Sequence, residues 1–358
     1  MSEVMMLTVP VVVVVVLVTL LSMTLSLSLS LSSLSSLKRC GLLCFKRPLT
    51  LSLHRYASSR PISSSDSSSS SSSKKVGNQI ALSFYQFIAI SEPDDVVQRL
   101  RDALKGLDIK GTLLVATEGY NGQFIVPVND VDMFHRTIVS SHPSTFTHLD
   151  FNLGNVYNFD HDDDSSDDSS VNVIKNVPFP FKKLIVRSKA NILTDGLPPA
   201  KKERIIDWND AGPELDASTW HEQISSIDKL EEGDDRKPLL LDCRNAYEND
   251  MGTFSGSTPL PTTVFSESWD VLDRLLQDQP KDKKILTFCT GGIRCVKVNA
   301  YIKQKGFNNI GRLKHGIIGY ERWINQSEHA ASSKFKGKNF LFDRRRLTET
   351  TDNVTDQS

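Results

Sequence analysis

The sequence predicts two successive folded domains, a small α+β domain and then an α/β domain with a parallel central sheet. Between residues 79 and 195, strand and helix patterns follow the order β-α-β-β-α-β. Between residues 212 and 328, short apolar strands alternate with helices, which is typical of a parallel sheet covered on both faces. The 358 residues have room for both domains, since a domain takes roughly 150 residues.

The first domain is predicted from strands rich in aromatic and β-branched residues and from helices with one apolar face. We expect a hairpin turn at Glu118–Gly122, because Asn-Gly is a strong turn signal. The β-α-β-β-α-β order predicts a ferredoxin-like sandwich. The expected strands are Ala81–Ile90, Ile109–Thr117, Gln123–Val128 and a last one ending near Val186, and the expected helices are Pro93–Leu107 and Asp130–Ser140.

The second domain is predicted from three buried strands and three helices. We expect the first of these helices to begin at a capping box formed by Thr219 and Glu222. The expected strands are Pro238–Asp242, Lys284–Phe288 and Ile310–Leu313, and the expected helices are Trp220–Ile227, Trp269–Gln277 and Arg294–Lys305.

Three other segments are not predicted to form domains. Residues 1–75 are rich in serine and have no acidic residue from Val4 to Ser65, which is typical of an organelle transit peptide. We expect import into the chloroplast, with the mitochondrion as the alternative and no stable membrane partner after processing. The apolar stretch Leu7–Leu21 leaves a signal anchor open. The acidic run Asp160–Ser170 is interpreted as a solvated insert, and residues 329–358 as a tail.

Charge and cysteine content exclude several function classes. Lys and Arg (42) balance Asp and Glu (43), so any contact with nucleic acid needs a local basic patch. Lys183, Arg187 and Lys189 alternate on one face of a strand, which fits either RNA phosphate contacts or a solvated sheet face. Five scattered cysteines make neither a disulfide framework nor a zinc site. No metal site and no cofactor motif is expected.

The candidate catalytic residue is Cys289, which follows a buried strand and precedes a helix. Open α/β folds place ligands at this edge of the sheet, and the free amides of a helix N-terminus favour the reactive thiolate form. Paired glycines let the loop backbone approach the sulfur, and we expect the arginine to supply a cation for an anionic substrate or leaving group. The loop residues after Cys289 are Thr290, Gly291, Gly292, Ile293 and Arg294.

This six-residue loop, from Cys289 to Arg294, resembles the loop of the rhodanese superfamily, whose sulfurtransferases begin it with cysteine and end it with arginine. Asp242, Arg244 and Glu248 match the Asp-x-Arg motif and downstream acid of the same superfamily. We interpret these three residues as a clamp that braces the active loop, with direct substrate contact by Arg244 as the alternative.

The resemblance is closer to the rhodanese-domain tRNA uridine-5-hydroxylases and their plant plastid counterparts. It is carried by residues 242–254 (DCRNAYENDMGTF), 289–297 (CTGGIRCVK), 117–123 (TEGYNGQ), 183–189 (KLIVRSK) and 337–345 (GKNFLFDRR). It implies tRNA as the partner and hydroxylation of a wobble uridine at C5, with molecular oxygen as co-substrate.

Two other functions remain open from the residues. A sulfurtransferase would carry sulfur as a Cys289 persulfide and take it from a small-molecule or protein sulfane-sulfur donor. A sulfur-carrier or redox module without catalysis would use the thiol to dock a partner. Cys295 is either a resolving thiol for an oxidised Cys289 or a small buried residue against the sheet.

Overall fold

The computed structural model describes residues 78–159, 173–174, 178–197, 206–227, 229–231, 234–326 and 332–343. The predicted transit peptide, the acidic insert and the chain after residue 343 lie outside the described residues.

The first domain contains a six-stranded sheet. Its strands are β1 (Gln79–Phe87), β2 (Lys110–Ala116), β3 (Gly119–Pro127), β4 (Asn152–Tyr157), β5 (Val173–Ile174) and β6 (Leu184–Ser188). The order across the sheet is β5-β4-β1-β3-β2-β6. The central strand β1 pairs antiparallel with β3 and β4, whereas β5 and β6 pair parallel with the strands beside them.

Two helices, α1 (Pro93–Leu104) and α2 (Val131–Ser141), cover one face of this sheet. Their buried residues recur every three or four positions, as expected for a helix with one face against a core. These residues are Val96, Val97, Leu100 and Leu104 in α1 and Val131, Phe134 and Ile138 in α2. The order β1-α1-β2-β3-α2-β4 confirms the predicted ferredoxin-like arrangement. We call the opposite side of the sheet the helix-free face.

The predicted position of the β2–β3 turn was wrong. Ala116 pairs with Gly119, so the turn consists of Thr117 and Glu118, and the Asn-Gly pair lies inside β3. A Cβ on Gly122 would lie 2.7 Å from the Phe84 ring. Gly122 therefore provides space for core aromatic packing, and this long-range requirement is invisible in a local turn motif.

The second domain contains a five-stranded sheet in the order β10-β8-β11-β12-β7. All four pairings are parallel, which confirms the predicted parallel sheet. Its strands are β7 (Glu214–Leu215), β8 (Leu239–Asp242), β10 (Thr258–Pro259), β11 (Ile285–Phe288) and β12 (Ile310–Leu313). Strands β9 (Gly252–Phe254) and β13 (Phe335–Gly337) form a separate antiparallel pair.

Helices cover both faces of this sheet. One apolar cluster includes residues of α5 (Ser268–Leu276) and α6 (Ile293–Gln304), and another includes residues of α3 (Ala217–Ile227) and α7 (Gly316–Asn325). The short helix α4 (Ala246–Asn249) follows β8. The prediction of a capping box at Thr219 was wrong, because the carboxylate of Asp216 accepts the Thr219 amide hydrogen bond at 2.8 Å, one turn earlier.

The two domains contact each other around α6 and α7. Nearly every residue of α6 is buried, including the charged Lys297. The Nζ atom of Lys297 donates to Glu118 of the first domain at 2.9 Å. The Asn152 side chain in β4 donates to the carbonyl of His315 at 2.8 Å. These contacts bring the helix-free face close to the start of α6.

Candidate active site

Cys289 lies directly after β11, and α6 begins at Ile293. Gly292 caps this helix with a φ of +98°, a conformation that glycine adopts without a steric penalty. In this conformation the Gly292 amide donates a hydrogen bond to the Cys289 sulfur at 3.1 Å. The sequence predicted a loop amide directed at the sulfur, and the structure places one there.

The start of α7 fixes the active loop through its backbone. The amides of Ile317 and Ile318 donate to the carbonyls of Cys289 and Thr290 at 2.9 and 3.1 Å. A Cβ on Gly316 would overlap those carbonyl oxygens, so this position requires glycine. The loop conformation is therefore determined by an element outside the Cys289–Arg294 motif.

Arg294, which is expected to supply a cation to a substrate or leaving group, is paired with a carboxylate in this structure. Its guanidinium donates to both carboxylate oxygens of Glu248, at 2.6 and 2.7 Å. Thr290 also donates to Glu248, at 3.2 Å. Such a buried two-point pair is already neutralised and geometrically fixed, so Arg294 and Glu248 hold the two ends of the loop together.

Asp242 and Arg244 form a second buried pair beneath the loop. The Arg244 guanidinium donates to both oxygens of Asp242, at 2.8 and 2.6 Å, and neither side chain is exposed. Asn249 and Thr253 donate to the same carboxylate at 2.9 and 3.0 Å. This geometry favours the bracing interpretation of Arg244 over direct contact with a substrate.

The buried position of Cys289 favours the protonated form of its thiol. Burial raises the pKa of Cys289 well above its usual range, Cys295 adds to the shift, and the charge of Arg294 opposes it. Burial also raises the pKa of Cys295. Cys243, Cys289 and Cys295 are all buried and free, so the expected resting thiolate requires a further step that removes the proton.

A cavity of about 290 Å³ lies above the loop. Its floor includes Cys289, Thr290, Gly291, Ile293 and Arg294, and its rim includes the half-exposed Phe342. Its roof is the helix-free face of the first domain. The roof residues include Ala81, Ser83, Tyr85, Asn121, Gln123, Asn152, Asn155 and Tyr157. Two domains together therefore enclose the space next to the thiol.

Tyr85 and Asn152 are site residues that the sequence analysis did not identify. A Cβ on Gly292 would lie 2.8 Å from the Tyr85 hydroxyl, so this phenol lies directly over the active loop. Burial, followed by the charge of Glu214, raises the pKa of Tyr85. A lone tyrosine in a strand carries no catalytic signal, and only the contact between the domains reveals its position.

The predicted basic stripe lies at the edge of the first sheet. Lys183, Arg187 and Lys189 are exposed, and none of them lines the cavity. Arg187 pairs with Leu114 of β2, and Leu114 pairs with Asn121 of β3. Neighbouring paired residues point to the same side of a sheet, so Arg187 is on the helix-free face.

Within the described residues, no group of three or more His, Cys, Asp or Glu side chains is arranged to hold a metal ion. Over the same part of the chain, no helix is both long enough and apolar enough to cross a membrane.

Two family profiles match this chain. The UPF0176 acylphosphatase-like domain matches residues 79–192, and the rhodanese-like domain matches residues 226–324. Together they cover the domains that contribute the roof and the floor of the cavity.

Similar proteins named tRNA uridine(34) hydroxylase occur in bacteria. The protein from Legionella pneumophila strain Corby is 34% identical over 74% of this chain and 89% of its own length. Those from Enterobacter sp. strain 638 and Escherichia coli O127:H6 are 31% and 30% identical, over 75% and 77% of this chain. The chain spans 66% and 69% of the length of these two relatives. The two matched domains and these relatives show that the chain belongs to the tRNA uridine(34) hydroxylase family of rhodanese-domain proteins.

Proposed function

We propose that this protein hydroxylates C5 of the uridine at position 34 of tRNA and that Cys289 is the reactive side chain. The observation that carries the proposal is the two-domain cavity above Cys289 in a chain of this family. A cavity of about 290 Å³ accommodates a nucleoside, whereas transfer of a single sulfur atom needs much less space.

The enclosed position of Cys289 requires the target base to leave its stacked position. Enzymes that act on a nucleobase take it out of the stack and into a close-fitting pocket. Cys289 has no exposed surface, so a base reaches it only by entering the cavity. An anticodon loop suits this route because its bases are single-stranded.

The proposed reaction replaces the C5–H bond of uracil with a C5–OH bond. With molecular oxygen as the oxidant, one oxygen atom enters the base and the other leaves as water. A thiol reductant supplies the two electrons and two protons that this water requires. Within the protein, the Gly292 amide donates to the Cys289 sulfur at the cavity floor, and the Arg294–Glu248 pair fixes the loop that carries it.

RNA contacts outside the cavity are proposed for Lys183, Arg187 and Lys189. These side chains are exposed at the edge of the sheet that forms the cavity roof. Basic side chains in such a position neutralise phosphates without reading the base sequence. Their contribution to tRNA affinity is therefore expected to fall as the salt concentration rises.

The test is mass spectrometry of nucleosides in tRNA from cells that lack the protein. We expect 5-hydroxyuridine to disappear, to return with the wild-type chain, and to remain absent with Cys289→Ser. Cys243→Ser is the matched control, because Cys243 is buried but does not line the cavity. Unchanged 5-hydroxyuridine in cells without the protein, with no enzyme of similar activity present, would contradict the proposal.

A sulfurtransferase is the second candidate, and the Gly292 amide favours it because that amide would also stabilise a persulfide on Cys289. In that case the purified protein converts thiosulfate and cyanide to sulfite and thiocyanate, and Cys289 gains the mass of one sulfur atom in the persulfide form. A non-catalytic sulfur-carrier or redox module would show neither tRNA hydroxylation nor sulfur transfer. It would bind a partner through the thiol, and Cys289→Ser would release that partner.

We also propose that the chain functions in the chloroplast. The proposal rests on the serine-rich, acid-poor composition of residues 1–75. A fluorescent fusion of the full chain should accumulate in plastids, and removal of residues 1–75 should leave the fusion in the cytosol. Accumulation in mitochondria would support the alternative.

A further inference from the structure

Besides the Tyr85 phenol, the cavity roof contains three polar side chains with no hydrogen-bond partner in the described part of the chain. These are Ser83 in β1, Gln123 in β3 and Asn155 in β4. Other amides of the roof are already used, since Asn121 donates to the carbonyl of Ile192 and Asn152 donates to that of His315. The unused groups are therefore available to a ligand.

Gln123 is the largest of these groups and lies in the middle of the sheet. Its backbone pairs with Ser83 of β1 on one side and with Thr112 of β2 on the other. Its side chain therefore projects outward from the helix-free face, between β1 and β2. It is half-buried and lines the same cavity as Cys289. Removing water from a polar group in such a place costs free energy unless the group gains another hydrogen-bond partner. A ligand that forms hydrogen bonds with Gln123 is therefore favoured.

A glutamine side chain offers one acceptor and two donors in a single plane. The polar edge of uracil presents the N3–H donor between two carbonyl oxygens. The glutamine oxygen accepts from N3–H while its nitrogen donates to an adjacent carbonyl oxygen, so both groups are satisfied by one flat contact. An apolar ligand would leave the amide without partners.

We propose that Gln123 binds the polar edge of the uracil ring in the cavity and is a specificity-determining residue for this substrate. This inference rests on the proposed function, because the uridine is the substrate named there. Gln123 orients the ring from the roof, while the reactive sulfur lies at the floor. Ser83 is the adjacent hydroxyl on the same roof and offers a further hydrogen bond to the nucleotide.

The test compares the full chain with Gln123→Met, which keeps the side-chain length and removes the hydrogen bonds. Gln98→Met is the matched control, because Gln98 is exposed on α1 and pairs with Asp102. Loss of two hydrogen bonds should lower kcat/KM for tRNA hydroxylation about tenfold or more through KM. The control should retain wild-type kinetics, and iodoacetamide should alkylate Cys289 equally in all three proteins.

A second measurement separates this inference from the proposed function. Uridine 5′-monophosphate should protect Cys289 of the wild type from alkylation, adenosine 5′-monophosphate should protect it less, and Gln123→Met should weaken the uridine protection. If these results hold but tRNA is not hydroxylated, the proposed function fails and the binding role of Gln123 stands. If Gln123→Met hydroxylates tRNA with the wild-type KM, or is protected like the wild type, the binding role is wrong.

Discussion

Lys297 and Glu118 lie 179 positions apart in the chain, yet the Lys297 ammonium donates to both carboxylate oxygens of Glu118, at 3.1 and 2.9 Å. Lys297 also pairs with Asp195 and is completely buried. Glu118 lies in the first domain and Lys297 one turn after the active loop. This pair therefore connects the roof of the cavity to the helix that supports its floor.

Lys297→Met should strongly destabilise the protein, because two carboxylates would lose their shared cation. Removing one partner of a buried ion pair typically costs about 3–5 kcal/mol. Urea denaturation of both proteins measures this difference. Lys303→Met is the matched control, since the Lys303–Asp210 pair is partly solvent-exposed and pairs at the surface contribute less than about 1 kcal/mol. Equal losses in both variants would contradict the role given to Lys297.

Gly292→Ala should distort the active loop. Alanine at a φ of +98° is strained, and its Cβ would lie 2.8 Å from the Tyr85 hydroxyl. We expect a loss of about 2–3 kcal/mol in unfolding free energy together with loss of activity.

Gly256→Ala provides the control for Gly292→Ala. Gly256 has a φ of +75°, but a Cβ there would meet nothing within 4 Å. The Gly256→Ala variant should therefore lose only the unfolding free energy that corresponds to backbone strain, about 1–2 kcal/mol. Urea denaturation and alkylation of Cys289 compare the two variants. If both lose the same stability and both keep activity, Tyr85 does not restrict the loop.

The fold was largely predictable because each element satisfies a local rule. Residues that are close together in the sequence suffice to predict the alternation of buried residues in the strands. The same holds for the apolar faces of α1 and α2. The motif around Cys289 is also contiguous, so its strand-loop-helix position could be predicted. The β2–β3 turn could not, because Gly122 is required by its contact with Phe84 and not by the turn.

The roof of the site was not predictable for the same reason. Tyr85 and Gln123 lie in ordinary strands, and nothing nearby in the sequence shows that the helix-free face covers a loop of another domain. Glu248 was predicted as a bracing residue, but its two-point pairing with Arg294 depends on folding across 46 positions. This pairing forms within the second domain and becomes visible only once α4 and α6 are brought together by the fold.

The reactivity of Cys289 should increase with pH through an unusually high range. Burial raises the pKa of Cys289, so the thiol form is favoured and the thiolate fraction grows as the pH approaches that raised pKa. The rate of alkylation by iodoacetamide, followed by mass spectrometry, should still increase above about pH 8.5, the pKa of an unperturbed cysteine. The Cys289→Ser variant lacks this thiol and therefore shows which part of the alkylation signal comes from Cys289. A plateau below that pH would show that the thiolate is stabilised at rest.

Asp150 should contribute a pH-dependent contact between the domains. The hydrogen bond from His315, with a smaller effect of Lys314, lowers the pKa of Asp150 to about 2. A carboxyl group whose pKa is lower in the folded state stabilises the protein above its unfolded pKa of about 3.9. This stabilisation is lost as the pH falls from about 4 to about 2.

Asp150→Asn removes the charge and serves as the comparison at every pH. The urea midpoints of the wild type and Asp150→Asn should differ at pH 5 and converge as the pH falls below 4. A difference that stays constant down to pH 2.5 would show that the Asp150 charge does not stabilise this contact.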